Sequence, residues 1–151
     1  MKKALFPILI AIFFSACSLH SLPKYNNVTI DSDQNISSTR QKLLTRIVEY
    51  WHYRLHNDYK HAYEYELPYQ RYLVPLKAYR GLIDGYGKNA KIEIISIKFP
   101  NTYTAIVQRR IKTSKTVLFS KDKWVNVDGE WYHKFFQNIL PPKNKEEQEF
   151  Q

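Results

Sequence analysis

The sequence predicts one α+β domain in which N-terminal helices pack on a curved, antiparallel four-strand meander. Three observations lead there. Asp128-Gly129 stands between two runs rich in aromatic and β-branched residues, Trp124 to Val127 and Glu130 to Phe136. That dipeptide is a strong hairpin signal, because the tight turn needs positive φ, which Asp tolerates and Gly adopts freely. Helical periodicity is confined to the chain between Arg40 and Gly87, and every strand signal follows it. Helices first and strands later argue for a layered α+β fold and against a parallel βαβ sheet.

At 151 residues the chain holds one core with a leader and tails. Hydrophobic content of 44%, with 15% aromatic, is enough for a packed interior. The formal charge is +9, and loss of Lys2 and Lys3 with a leader leaves +7. Such a balance favours anionic partners without saying which. The lone cysteine, Cys17, excludes an intramolecular disulfide.

Residues 1–16 are expected to be an export signal. Lys2 and Lys3 precede an almost wholly apolar run from Ala4 to Phe14, and Ser15-Ala16 stand before Cys17. The apolar run is too short to cross a hydrocarbon core of about 30 Å at roughly 1.5 Å per residue. Phe14-Ser15-Ala16-Cys17 resembles the lipobox of bacterial lipoproteins. The resemblance implies diacylglyceryl modification of Cys17, cleavage before it and acylation of the new amino terminus. Ser18 after the cysteine implies the periplasmic face of the outer membrane.

Residues 17–38 are polar and aperiodic, with Pro23, Asn26 and Asn27, and read as a flexible tether that leaves the domain without a fixed pose on the bilayer. The cone domain is placed at 39–140. Its first helix runs from the Ser37-Ser38-Thr39 caps to about Asn57, with Leu43, Leu44, Ile47, Val48, Trp51 and Leu55 on one stripe. Asp58 caps a second piece through about Tyr65, which Pro68 closes. A third helix follows Pro75, carrying Leu76, Tyr79, Leu82 and Ile83 on one face. Strands are expected at 91–99, 103–112, 116–127 and 130–136. Residues 141–151, after Pro141-Pro142, read as a disordered polar tail.

Trp51, Asp58, Ala62-Tyr63, Pro68, Arg71, Tyr79 and the closing Trp124…Asp128-Gly129…Trp131 together resemble the nuclear-transport-factor-2-like superfamily. The resemblance implies a cone made by a curved sheet around a long helix, often with a pocket at its open end. Members include isomerases, dehydratases and many non-catalytic binding modules, so the fold does not choose the chemistry.

The candidate pocket lining is Trp51, Tyr63, Tyr65, Tyr79 and His133, whose rings offer apolar bodies with polar tips. Core packing explains the same spacing, and His133 reads as a core or rim residue held by its neighbours. Isomerase chemistry of this family needs an apolar-flanked acid pair. Among Glu93, Asp122, Asp128 and Glu130 none stands out. His52 and His56, at i and i+4 with His61 nearby, lack a completing ligand, so no metal and no cofactor are expected.

Arg109, Arg110, Lys112, Lys115, Lys121 and Lys123 crowd the central hairpin and read as a solvated strand surface. Phe119 alone is interleaved among them, a poor match to a nucleic-acid platform, so no nucleic-acid partner is expected. The expected partners are the membrane, through the lipid anchor, and an envelope protein or anionic envelope polymer. The sequence leaves the oligomeric state open. The expected function is non-catalytic binding or scaffolding; the alternative is a small-ligand carrier or an isomerase/dehydratase-like enzyme using the cone's open end.

Overall fold

A computed structural model describes residues 21–31, 38–83, 85–87 and 89–135. The leader, Cys17 and the 141–151 tail lie outside these residues. In chain order the elements are β1 (Val28–Ile30), α1 (Ser38–Leu55), α2 (Tyr59–Glu64), α3 (Pro68–Leu73), α4 (Leu76–Leu82), β2 (Lys91–Asn101), β3 (Thr104–Lys112), β4 (Val117–Val127) and β5 (Glu130–Lys134). No helix among the described residues is long and apolar enough to cross a membrane.

The α+β class and the antiparallel β2–β5 meander are as expected, and the strand count is not. The sheet has five strands in the order β1-β2-β3-β4-β5. Val28–Ile30, expected within the tether, joins the edge in parallel, Val28 opposite Ile92 and Ile30 opposite Ile94. The cause is local: Val28 is buried against the core, and a three-residue β-branched run finds a free edge beside Ile92 and Ile94.

The first helix forms for the reason its spacing gave. Leu43, Leu44, Ile47, Val48, Trp51 and Leu55 are all buried, and at roughly 1.5–3 kcal/mol for each large apolar side chain that stripe supplies most of the helix's hold on the sheet. Asn57, at φ 58°, turns the chain back. Asp58 Oδ1 then accepts from the His61 backbone N–H at 3.3 Å and starts α2. The expectation of one helix after Pro68 missed α3, which Pro68 itself opens as a first-turn residue.

Asp128 (φ 52°) and Gly129 (φ 87°) make the β4–β5 turn, and Asn126 Oδ1 accepts from the Gly129 N–H at 3.0 Å. Side-chain alternation places Ala105, Val107, Arg109 and Ile111 of β3 on the inner face with Asp122 and Trp124 of β4 and Trp131 and His133 of β5. Breaks of register between Ile94 and Ser96, and between Lys98 and Asn101, interrupt the pairing of β2 with β3. Extra residues of this kind raise the local bend of a strand, and the sheet curls around α1.

Candidate functional site

The inner face of the sheet carries charge. Asp122 sits two residues before Trp124 and shares its face, so the helix that covers Trp124 covers Asp122 as well. Trp51 of α1 donates its indole N–H to Asp122 Oδ2 at 3.0 Å, and Arg109 Nε lies 2.9 Å from both carboxylate oxygens. The Arg109 guanidinium also rests over the Trp51 ring, 4.1 Å from its centroid.

His133 lies between two acids. Its Nδ1 is 2.7 Å from Glu66 Oε2, and its Nε2 is 3.8 Å from Asp122 Oδ1. Glu66 comes from the connection between α2 and α3, which β5 grips through its backbone. Leu67 N–H donates to the His133 carbonyl at 2.9 Å, and His133 N–H donates to the Tyr65 carbonyl at 2.7 Å. The other Glu66 oxygen accepts from the Tyr50 hydroxyl at 2.9 Å and from the Tyr79 hydroxyl at 2.6 Å. Arg54 Nη1 donates in turn to the Tyr50 oxygen at 2.8 Å.

Burial by itself would lower the His133 pKa, but Glu66 and Asp122 outweigh it and push the pKa up to about 9. Burial would raise the Asp122 pKa, and His133 and Arg109 more than offset that, holding it below the usual carboxylate value. Desolvation pushes the Tyr50 and Tyr79 hydroxyls well above their ordinary pKa, so both remain proton donors. At neutral pH His133 is thus an imidazolium with both nitrogens engaged, and it has no lone pair with which to act as a base.

The structure brings three of the five proposed lining residues together. Trp51, Tyr79 and His133 meet through Asp122 and Glu66, and all three are buried by other parts of the protein. Tyr63 and Tyr65 serve elsewhere. The Tyr63 hydroxyl lies 2.7 Å from the carbonyls of both Arg71 and Val74 and ties the end of α3 to α2. Tyr65 donates to Glu49 Oε2 at 2.8 Å on the half-buried outer side of α1, under the Arg46 guanidinium.

Two corrections concern charge. Asp122, which did not stand out among the strand acids, is buried at 4% exposure together with Glu66, at 0%, an acid the sequence did not single out. Arg109, expected on a solvated strand, is buried against Asp122, and Lys123 is buried as well. The parity of Trp124 was the readable signal for Asp122 and for Arg109 across the sheet, but the lysines at 121 and 123 masked it. Nothing local marks Glu66, whose burial depends on α1, α4 and β5 meeting over it.

The remaining candidates are accounted for in other ways. His52 stacks on Tyr25 at 3.8 Å between centroids, His56 Nδ1 lies 2.7 Å from the His52 carbonyl, and His61 Nδ1 pairs with Asp58 at 2.6 Å. Among the described residues no three His, Cys, Asp or Glu side chains are grouped as metal ligands would be. Glu93 pairs with Arg110, and Asp128 makes the turn. An open depression lined by Tyr59, Leu76, Lys77, Arg80 and Gly81 shares no residue with the buried cluster.

No protein-family model matches this chain, and no curated protein does. Among solved structures the chain is similar to a SEC-C motif containing protein from Rhodopseudomonas palustris, at 11% identity over 61% of this chain and 74% of that one, with a TM-score of 0.45.

Proposed function

We propose that this protein is a lipid-anchored component of the bacterial cell envelope, held by Cys17 at the periplasmic face of the outer membrane. Its nuclear-transport-factor-2-like cone domain serves there as a non-catalytic binding or scaffolding module. The observation that carries the non-catalytic part is the closure of the His133 cluster. Both imidazole nitrogens face carboxylates, Glu66 accepts from three donors, and the Tyr50 and Tyr79 hydroxyls point into the same acid. A general acid or base must reach a substrate proton, and these groups reach one another.

The membrane part rests on the order of charged, apolar and small residues before Cys17. Several acyl chains hold a protein far more firmly than one, since each buried CH₂ adds about 0.8 kcal/mol. Palmitate labelling of the wild type against Cys17→Ser tests the anchor: labelling that depends on Cys17 is expected, and equal labelling removes it. A pull-down from detergent-solubilised envelopes tests the module, with a stoichiometric envelope partner as the expected result.

One observation favours small-ligand binding as a second reading. Arg109 Nη1 is buried beside Trp51 with no hydrogen-bond acceptor among the described residues, and a carboxylate would satisfy it. Thermal stabilisation by small carboxylates, abolished in Arg109→Lys, would separate this reading from the first.

A further inference from the structure

The β3–β4 end of the sheet carries a patch that the interior does not use. Val117, Leu118 and Phe119 are consecutive in β4 and are 50%, 47% and 63% exposed. Successive residues of a strand point to opposite faces, so apolar side chains stand in solvent on both sides of the sheet. Among the described residues β5 pairs with β4 only from Lys123 to Val127, and the outer edge of β4 from Val117 to Asp122 has no strand beside it. Exposed Lys112, Lys115 and Lys121 surround this stretch, and Lys91 stands opposite Lys112 on β2. No acidic residue lies between Lys112 and Lys121 in the sequence. Glu93, the nearest acid on the neighbouring rows, is occupied by Arg110 and Lys112.

The same end of the sheet receives the amino-terminal chain. Val28 is opposite Ile92, Ile92 opposite Ile111, and Ile111 opposite Leu118, so the entry of β1 and the apolar patch share one row. Three inter-strand spacings separate them, about 15 Å. Tyr25 bridges Val28 and is eight residues from Cys17. A fully extended chain of that length spans at most about 29 Å.

We propose that this end of the domain lies against an anionic lipid surface, with Val117, Leu118 and Phe119 in the interfacial layer and Lys91, Lys112, Lys115 and Lys121 on the headgroups. The proposal rests on the lipid-anchor reading and gives the domain a preferred orientation in place of the free pose expected from the tether. Apolar groups on both faces of one strand suit a fluid medium that surrounds the tip, whereas a protein partner presents a surface to one side. Like charges along the edge oppose pairing with a second copy. Basic residues beside inserted aromatic and aliphatic ones are the usual chemistry of anionic-membrane contact.

The test uses the full lipidated protein reconstituted in vesicles of phosphatidylcholine, with and without phosphatidylglycerol. Phe119→Cys carries an environment-sensitive fluorophore, and Tyr72→Cys, 88% exposed on α3, is the control. Acyl-chain nitroxides should quench the label at 119 severalfold more than the label at 72. Phosphatidylglycerol should strengthen that quenching, and adding Lys112→Glu with Lys115→Glu should reverse the gain. Equal quenching at the two positions, or no response to phosphatidylglycerol, overturns the proposal, as does crosslinking of position 119 in cells to an envelope protein in place of lipid. Failure of the anchor reads differently: Cys17 in the parent chain then remains a free thiol and takes up the label.

Discussion

Glu66 Oε2 and His133 Nδ1 lie 2.7 Å apart although 67 residues separate them in the chain. Both side chains are buried, and the contact joins the helical half to the last strand. With Asp122, Tyr50, Tyr79 and Arg54 the pair makes a charged clasp across elements that touch only in the folded state.

Removing one partner leaves an ion buried without its counter-charge, a loss typically of about 3–5 kcal/mol. Glu66→Ala is therefore expected to lose stability on that scale, and His133→Ala likewise. The double variant should lose less than the sum of the two, because the second removal relieves the stranded charge. Urea unfolding of the four proteins measures this, and strict additivity would contradict the pairing.

The folded His133 pKa of about 9 lies above its ordinary value of 6.5. A raised pKa contributes stability that is fully present below about pH 6.5 and is lost as pH rises through about 9. The shift corresponds to a contribution on the order of 3 kcal/mol. Urea midpoints should fall across that window in the wild type and stay flatter in His133→Gln. Asp122, whose pKa is depressed, acts at the other end: its contribution is present above about pH 4 and fades as pH falls below that.

Gly129 has φ +87°, and a Cβ placed there would meet nothing within 4 Å. The cost of Gly129→Ala is therefore backbone strain alone, about 1–2 kcal/mol. A smaller loss in Asp128→Asn is expected, since Asn also tolerates the left-handed region. Thermal melts of the two variants should rank in that order.

Gly81 lies inside α4 at a conventional φ, and an added methyl would again meet no atom within 4 Å. Gly81→Ala should stabilise the protein by about 0.5–1 kcal/mol, because alanine surrenders less backbone freedom in a helix. A fall in melting temperature would show that α4 makes a close contact on this side.

The sequence by itself determined the elements whose causes are local. The 3/4 spacing from Leu43 to Leu55 made α1, the Asp58 side chain started α2, and Asp128-Gly129 set the closing hairpin. Tertiary structure alone decided which polar residues went inside. Val28–Ile30 is too short to declare itself a strand until Ile92 offers an edge, and Glu66 is an unremarkable acid before a proline until three elements close over it. Lys121 and Lys123 made Asp122 look solvated for the same reason. Periodicity and turn geometry are written in neighbouring residues, whereas the burial of a charge depends on a counter-charge that the chain brings from far away.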